Sequence, residues 1–513
     1  MALVLIEAPG KVDTVRRNFP GPGKIDVIAT YGHLFDLPQF NLGIEADRIQ
    51  LVPINMKTLH SIREAAEKHS EIYVATDPDR EGEVIARQVM EILVTVMGKK
   101  NVVRIHPHDL SRQEFERAIA AGNTFNEGLA RAGMCRRVVD RLIGFLLSRR
   151  AGKDLGANVS IGRVKTAILQ QAVNGFIGKS YYGKLVFALG YDGVLLCNVT
   201  MKGEVWHKGG HEGWFRIRSI KSTKVHTVPP VTTATLLSHF ATKGVFRPFT
   251  AYGTAQKLYE HGVTSYPRTR EEIITRAGLD IAETLLAKSD PRRTVQIEPG
   301  LPVGGHESIR PAEPFLEPEL RGLTGGEKEV YSYICNQFMD AAACKKVCMI
   351  SGTIEMAGDL FDTEIESDNP DVEKILRVGS AAYGKVVPAH PSIRLQDLFT
   401  WMDRERIGTP GTYSSAVKSL VDKGYLSSGI LVTNMGLKIL EWVDKNASWL
   451  SATTSSNLEK LLDDVQMGKI GALKVFEALK DFSKEESIPV VQKDPMAALS
   501  DTVKVCFSPA PGL

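Results

Sequence analysis

An apolar run that ends in three alternating carboxylates constrains the fold of this chain more than any other feature. Ile72 to Thr76 is typical of a short buried strand, and Glu83 to Met90 is typical of the helix that follows it. Between them lie Asp77, Asp79 and Glu81. Carboxylates crowded at a strand end repel one another unless a cation neutralises them, and hard oxygen ligands suit Mg²⁺ beside phosphates. The stretch predicts phosphoryl-transfer chemistry, with an acidic surface turn as the alternative.

A second predicted strand, at the start of the chain, ends in the same way. Leu3 to Ile6 is apolar, Glu7 follows it directly, and Lys11 comes four residues later. Parallel strands bring their carboxyl ends to one edge of a sheet, where ligands of α/β proteins bind. Glu7 and the 77–81 cluster are therefore expected to converge. Together they resemble the toprim domain, which type IA and type II topoisomerases share with bacterial primases and some nucleases.

The segment from Gln256 to Thr269 decides between these classes. It resembles the active-site segment of type IA DNA topoisomerases, with Tyr266 at the position of the nucleophile and Arg268 two residues later. A tyrosine hydroxyl has a pKa of about 10, so it needs help from a cation or base before it can attack. Arginine stays charged and can hold a phosphate with two hydrogen bonds. A lone tyrosine is more often a half-buried packing residue, but further segments in the family's order favour catalysis here.

Those further segments are short and surround Tyr266 on both sides. They cover residues 31–38, 136–144, 160–166 and 305–311, and residues 408–415 match in part. In the family the histidine of the fourth segment lies near the scissile phosphate, so His306 is expected to have a catalytic role there. DNA-binding residues are expected at these positions and on the helix before Tyr266: His33, Arg137, Arg141, Ser160, Gly162, Arg163, Lys165, Gln256, Glu260, Thr412 and Tyr413.

Two segments depart from the family pattern. Thr409 and Gly411 stand where the family carries arginine and serine. Arg270 and Glu271 replace the usual Asp-Ser after the Arg-Thr pair. The 408–415 stretch also has a local interpretation, in which Thr412 caps a helix that ends at a glycine. The replacements at 270 and 271 remove no residue that the chemistry needs.

The resemblance implies an ATP-independent enzyme that cleaves single-stranded DNA through a 5′-phosphotyrosyl intermediate, passes a strand and religates. Relaxation of negative supercoils or decatenation would result. Glu7 would carry the proton of the leaving 3′-oxygen, and Lys11 and Arg268 would stabilise charge on the phosphate. The alternatives are a toprim-family nuclease or primase-like enzyme, and a catalytically silent DNA-binding relative. Mg²⁺ would be held by a set of four carboxylates: Glu7, Asp77, Asp79 and Glu81.

Charge is concentrated locally rather than spread over the chain. The 513 residues carry 63 basic and 60 acidic side chains, for a net charge of +3. Between residues 131 and 153, however, seven basic residues face a single acid, Asp140. A solvated helix face is the alternative, but so one-sided a balance suits contacts to DNA phosphates.

The length exceeds what one core normally supports, so several domains are expected. Alternating strands and helices over residues 1–118 predict a parallel α/β sheet, and two stretches of β pattern lie apart in the sequence. The resemblance implies a multidomain α/β plus α+β fold: a toprim domain with a Rossmann-like parallel sheet in a four-domain toroidal core. Its parts would be 1–118 (toprim), 119–178 and 394–490 (helical, DNA groove), 179–235 and 346–393 (β-rich hinge), 236–345 (tyrosine domain) and 491–513 (tail). The mixture of charge, proline and small residues after Ser483 predicts a poorly ordered tail.

Remaining features bound the setting of the protein. The six cysteines form no Cys-x₂-Cys pair, so no zinc ribbon is expected. The cysteines are expected to be reduced, in an intracellular protein. No signal peptide and no apolar run of about 18 residues is found. The expected partners are single-stranded or underwound DNA and a helicase or other DNA-processing protein. A monomer associated with the nucleoid of a prokaryotic cytoplasm is the expected form.

Overall fold

The computed structural model describes residues 2–507 except for several short stretches. Those excluded are 22, 24, 100, 175–179, 189–193, 203–210, 245–246, 302–305, 320–321, 357, 368, 370–371, 389–393 and 485–487. The strands in chain order are β1 (Ala2–Ile6), β2 (Asp26–Ala29), β3 (Phe35–Asp36), β4 (Val52–Pro53), β5 (Glu71–Val74), β6 (Val102–Arg104), β7 (Ser180–Ala188), β8 (Val194–Lys202), β9 (His211–Thr227), β10 (Lys346–Met356), β11 (Asp359–Ser367) and β12 (Ala381–Pro388).

The helices of the first half are α1 (Val12–Asn18), α2 (Met56–Lys68), α3 (Arg80–Met90), α4 (Arg112–Ala120), α5 (Glu127–Leu155), α6 (Arg163–Asn174), α7 (Thr233–Ala241) and α8 (Arg247–Glu260). Those of the second half are α9 (Arg276–Ser289), α10 (Gly325–Ala342), α11 (Val372–Ile375), α12 (Leu395–Arg404), α13 (Pro410–Asp422), α14 (Asn434–Asn446), α15 (Ala452–Gln466), α16 (Leu473–Ser483) and α17 (Pro495–Phe507). None of the described helices is both long and apolar enough to cross a membrane.

A four-stranded parallel sheet in the order β2-β1-β5-β6 forms the first unit, as the sequence predicts. The central strands β1 and β5 are buried over most of their length, because helices cover both faces of such a sheet. Leu5 pairs with Val74, and the Ala75 N–H donates to the Leu5 carbonyl at 2.7 Å. This register brings the carboxyl ends of β1 and β5 side by side, so Glu7 and Asp77 begin at the same edge.

The helix after β5 begins three residues earlier than the sequence predicts. Asp79 caps α3, since its Oδ1 accepts the Gly82 N–H at 2.7 Å. The predicted start at Glu83 is therefore wrong, because the carboxylate of Asp79 serves as an N-cap as well as a site residue. In the same way Thr409, rather than Thr412, caps α13, and the two threonines form a capping box.

The helical unit is organised around α5, which is 29 residues long. This helix packs against α3 of the parallel-sheet unit and against α6, α15, α16 and α17. Both units therefore share one large apolar core. The predicted poorly ordered tail is wrong for residues 495–507: Leu499 and Val503, one turn apart in α17, are fully buried against α5 and the π-helical turns of Glu91–Val96.

A closed antiparallel barrel in the order β10-β11-β8-β7-β12-β9 forms the third unit. Its strands come from two stretches, 180–227 and 346–388, that flank the segment carrying Tyr266. Phe215, Ile217, Ile350 and Ile354 are buried within it. Helices α7 to α10 lie between β9 and β10 and have their own apolar core. We call this part of the chain, residues 228–345, the tyrosine unit. The domain boundaries inferred from the sequence stay predictions.

Candidate active site

Tyr266 meets the acidic edge of the parallel sheet. Its hydroxyl donates to Asp79 Oδ2 at 2.6 Å, across 187 residues of sequence. The other oxygen of Asp79 is held by the start of α3, so the carboxylate is fixed at both ends. The side chain of Tyr266 is only 4% exposed, and its N–H donates to the His108 carbonyl at 2.9 Å. The tyrosine is therefore locked in place against the sheet.

Two rings hold the phenol of Tyr266 from either side. Tyr259, on α8, makes an edge-to-face contact with ring centroids 5.2 Å apart, and His306 is nearly parallel to it at 6.1 Å. Burial raises the pKa of Tyr266 well above its ordinary value, and the charges of Asp79 and its neighbours add to this, while Arg268 opposes it. Burial likewise lowers the pKa of His306 to about 4, so this histidine is neutral at pH 7. In this closed state the phenol is protonated.

Glu7 is the carboxylate that the site leaves without a partner. Its Oε2 is buried and accepts no hydrogen bond from the described residues. Burial, followed by the charges of Asp77 and Asp79, raises the pKa of Glu7 to about 8, although Lys11 and Arg268 act the other way. A glutamate in this state holds a proton near neutral pH and can give it up when a cation arrives.

Two cations lie on the acidic edge. Lys11 is buried, forms an ion pair with Asp77, and has its ammonium 4.7 Å from the centroid of the Tyr259 ring. Arg268 Nη1 lies 3.7 Å from Asp79 Oδ2. A Cβ placed on Gly411 would come within 3.3 Å of Arg268 Cδ, so this glycine makes room for the arginine. Arg268 thus lies beside the Asp79 oxygen that Tyr266 binds, whereas Lys11 neutralises Asp77 one position further along the edge.

Glu81 faces away from the other carboxylates. Its Oε2 accepts from His33 Nε2 at 2.6 Å and from Arg137 Nη1 at 2.9 Å. Burial would raise the pKa of Glu81, but the hydrogen bond and charge of His33, with Arg137 and Arg136, lower it to about 2. The predicted place of Glu81 in the metal set is therefore not what this state shows, since its negative charge is already matched.

The remaining acids suit a hard cation by their chemistry. Among the described side chains no group of three acids, histidines or cysteines surrounds one metal position. Glu7 nevertheless has an unpartnered buried oxygen, and its pKa is raised by burial first and then by the negative charges of Asp77 and Asp79. Carboxylate oxygens of this kind are the ligands that Mg²⁺ accepts while keeping waters.

A groove of about 1090 Å³ leads away from Asp79, Arg268 and His306. It follows α5 as far as Arg149 and Ser160. Its walls carry the arginines 80, 136, 137, 141, 149, 268, 270 and 406, interspersed with seven carboxylates. A chain of phosphates could follow such a groove, because arginines recur along its whole length.

The outer end of the groove combines charge with an aromatic face. The guanidinium groups of Arg141 and Arg149 lie 5.4 and 4.5 Å from the centre of the Phe145 ring. Arg141 also donates to the Pro38 carbonyl. Ser160 accepts a hydrogen bond from Lys165 Nζ at 3.0 Å, which places both of these predicted residues near this end.

Other predicted DNA-binding residues have structural surroundings. Arg163 is 2% exposed and pairs with Asp140 and Glu459 at 2.6 Å each, so the prediction of a direct DNA contact is wrong for this state. Tyr413 is fully buried and is likewise unavailable for direct contact. Gln256 donates to Glu260 at 3.1 Å on α8. Gly162 has open space around its Cα, and Thr412 lines the groove.

The comparison with known families agrees with this arrangement. Residues 200–369 and 372–477 match the model of a family described as DNA topoisomerase, and residues 2–108 match the toprim domain. The first model alone covers more than half of the chain. The chain belongs to the type IA DNA topoisomerase family.

Individual topoisomerases match over nearly the whole chain at low identity. DNA topoisomerase 1 of Thermotoga maritima is 25% identical over 91% of this chain and 82% of its own length. Reverse gyrase 1 of Aquifex aeolicus is 25% identical over 93% of this chain, which spans about half (47%) of that protein. The structure of full-length topoisomerase I from Thermotoga maritima covers 95% of this chain and 90% of its own, with a TM-score of 0.69 at 23% identity.

Two buried clusters of charged residues near the site were not predicted from the sequence. Glu83 accepts from Arg104 and His106, at 2.7 and 2.8 Å, directly beneath the acidic edge. Glu307 and Asp109 both pair with Arg310, at 2.7 and 3.1 Å, between the tyrosine unit and the sheet. A signal was available for Glu83, Glu307 and Arg310, which lie within or directly after the motif segments, whereas Arg104 and Asp109 had none.

Proposed function

We propose that the protein acts as a type IA DNA topoisomerase: it cleaves single-stranded DNA without ATP, passes a strand and religates. One observation carries the proposal. The Tyr266 hydroxyl lies 2.6 Å from Asp79, beside Glu7 and Arg268, where an arginine-lined groove ends. A toprim nuclease would have no use for a tyrosine locked at this point. The family membership supports the same activity.

The attack would begin from Tyr266 after DNA displaces its hydrogen bond to Asp79. Arg268 and Lys11 favour the phenolate and neutralise the phosphate, which counteracts the raised pKa of the buried phenol. The phenol releases its proton to solvent and its oxygen forms a bond to phosphorus, while the bond from phosphorus to the 3′-oxygen breaks; on religation the phenolate regains a proton from solvent. Glu7 gives its proton to that leaving oxygen and takes it back on religation. One phosphodiester is exchanged for another, so no ATP is required.

The proposal extends to Mg²⁺ as the cofactor. Glu7, Asp77 and Asp79 would hold the ion, and Glu81 would join them only on leaving its partners His33 and Arg137. When bound, Mg²⁺ would offset the negative charge that gathers where carboxylates and phosphate meet. The unpartnered oxygen of Glu7 supports this assignment.

Strand passage needs the tyrosine unit to separate from the sheet. The contacts that would break include the Tyr266–Asp79 hydrogen bond and the buried ion pair of Arg310 with Asp109. The barrel, joined to the tyrosine unit on both sides in sequence, stays attached throughout. Relaxation of supercoils and decatenation both use this opening, and we propose both as activities.

The test is to incubate the protein with Mg²⁺ and single-stranded DNA labelled at one end, and to stop with denaturant. Label should stay on the protein only when it lies downstream of the break, because the tyrosine holds the 5′-phosphate. EDTA should abolish the relaxation of plasmid DNA. Free cleaved fragments without an adduct would instead support a nuclease, and no cleavage would support a silent DNA-binding relative.

The setting of the enzyme is part of the proposal. DNA is its substrate, so we propose that it works inside the cell at the nucleoid, as a monomer, with a helicase as a partner that supplies single strands. Sedimentation of the purified protein tests the monomer. Stimulation of decatenation by an added helicase tests the partner, and equal rates with and without it would remove that part of the proposal.

A further inference from the structure

Arg270 bridges two units of the molecule, four residues after Tyr266. Its Nε donates to the Tyr413 hydroxyl at 2.8 Å, and its Nη2 donates to the Gly408 carbonyl at 2.6 Å. Nε also lies 3.2 Å from Asp403 Oδ1, which accepts from the Tyr413 hydroxyl at 2.7 Å. Arg270 belongs to the tyrosine unit, whereas all three partners lie at α12 and α13 of the helical unit. One side chain thus makes three contacts across the boundary.

The sequence departures noted above meet at this point. The family pattern has an acid at position 270 and an arginine at position 409, but this chain has Arg270 and Thr409. The Thr409 hydroxyl accepts from Arg136 Nη1 at 2.9 Å and takes no part in the bridge. Gly408 has φ of +81°, a conformation in which glycine is favoured, and its carbonyl is the one Arg270 binds. The cation that lies beside Gly408 is therefore carried by the tyrosine unit.

The surroundings of Arg270 make these contacts strong. Its side chain is 23% exposed and that of Asp403 27%, so water screens the pair only in part. Charge-assisted hydrogen bonds of a guanidinium to a phenol and a carbonyl are stronger than neutral ones. The planar guanidinium presents Nε–H and Nη2–H in a fixed geometry, which the single ammonium of a lysine would not reproduce. Removing it would leave the Tyr413 hydroxyl and the Asp403 carboxylate without their cation.

We propose that Arg270 is a positioning residue that clasps the tyrosine unit to the helical unit, and that its contacts set how often the two separate. The inference rests on the proposed function, in which the closed form is the one that presents Tyr266 to a DNA strand in the groove. Every contact of Arg270 with Tyr413, Gly408 and Asp403 must break on opening. The clasp therefore biases the equilibrium between closed and open forms.

The experiment measures that equilibrium in the full chain without DNA. Fluorophores attached through non-natural amino acids at the exposed positions 280 and 423 report the distance between the two units. Arg270→Ala should raise the ratio of open to closed molecules at least about tenfold, because charged hydrogen bonds are lost. Arg270→Lys should restore part of the closed population, and Tyr413→Phe should give an intermediate shift. Arg292→Ala, an exposed arginine of the same unit, is the matched control and should leave the ratio unchanged.

An unchanged ratio in Arg270→Ala would overturn the clasp, above all if single-stranded DNA then bound more weakly, as expected of a residue that contacts phosphate. The readout contains no DNA, so it is independent of the chemistry. A wild-type protein that forms no covalent adduct would remove the proposed function and leave the measured distance shift standing.

Discussion

Tyr266 is held in this state by the contacts that its reaction would have to break. Its hydroxyl donates to Asp79, its backbone donates to His108, and burial raises its pKa. These contacts keep the nucleophile protonated. DNA would be needed to replace Asp79 as the partner of the phenol, so cleavage is tied to the presence of a strand.

Tyr266→Phe should abolish the covalent adduct, because no other atom can take the place of the phenolic oxygen. Binding of single-stranded DNA should change by less than about twofold, since the groove arginines remain. Denaturing gels of labelled DNA measure the adduct. Tyr333→Phe, a half-buried tyrosine of the same unit, is the control and should still form it. An adduct in Tyr266→Phe would move the nucleophile elsewhere.

Glu459 is the residue on which three arginines of the groove floor converge. It lies 2.6 Å from Arg163, 3.2 Å from Arg80 and 3.8 Å from Arg136, and is 2% exposed. Burial would raise the pKa of Glu459, but these three cations lower it to about 2. The acid thus allows several buried arginines to lie close together.

Glu459→Gln should lower the free energy of unfolding by about 3 kcal/mol at pH 7, because the arginines lose their buried counter-charge. The folded-state pKa is depressed, so this stabilisation is complete above about pH 4.5 and disappears as the pH falls towards 2. The difference between wild type and variant in urea denaturation should shrink over that range. Glu441→Gln, an exposed acid on α14, should show no difference at either pH. A constant difference for Glu459→Gln would contradict the pairing.

At the scale of elements, α17 shows how a short helix can close a core. Leu499 and Val503 are fully buried, whereas Val505 is 78% exposed on the same helix. Leu499→Ala should lower the free energy of unfolding by about 2–4 kcal/mol, as expected for a core leucine. Val505→Ala should change it by less than about 0.5 kcal/mol. Chemical denaturation of the two variants gives the comparison, and equal effects would mean that α17 does not pack as described.

The elements of the sheet could be predicted from sequence because buried parallel strands are continuous apolar runs. β1 begins one residue before the apolar run Leu3 to Ile6 and ends with it, and β5 begins one residue before the run Ile72 to Thr76 and ends two residues before its end. The start of α3 could not be predicted from sequence, since nothing local distinguishes a carboxylate that caps a helix from one that belongs to an active site. α17 was missed because its four apolar contacts are spread among small residues and charges.

Some contacts of the candidate site could likewise be predicted from the sequence, and others could not. The convergence of Glu7 with Asp77 follows from strand order, and the approach of Tyr266 follows from the family resemblance. The pairing of Glu81 with His33 and Arg137 depends on residues 48 and 56 positions away, which no spacing rule can supply. Arg163 was assigned to DNA because a buried arginine and an exposed one look alike in a sequence.

At the scale of the whole molecule, the groove joins the helical unit to the acidic edge. Its arginines belong to three different parts of the chain, so DNA binding depends on how the units are assembled. Arg80 and Arg163 are already paired with acids, which leaves the outer arginines around Phe145 to contribute most to phosphate binding. Their effect should be visible in the dependence on salt.

Arg141→Ala should weaken binding of single-stranded DNA and reduce the slope of log K against log salt by about 0.7, the value for one phosphate contact on a single strand. Fluorescence anisotropy at several salt concentrations measures the slope. Arg292→Ala lies outside the groove and should leave it unchanged. A weaker affinity at constant slope would mean that Arg141 acts through packing on Phe145 rather than through charge.

The two chain crossings between barrel and tyrosine unit run side by side. Thr227 at the end of β9 pairs with Lys346 at the start of β10, and the Val228 N–H donates to the Lys345 carbonyl at 2.9 Å. In mechanical terms the tyrosine unit is connected to the barrel by a ribbon of two hydrogen-bonded strands. A two-stranded ribbon bends readily in the direction perpendicular to its flat face and resists bending within its plane. A hinge of this kind bends easily about one axis only, so the barrel strands, rather than a bound DNA strand, would set the direction in which the tyrosine unit could move.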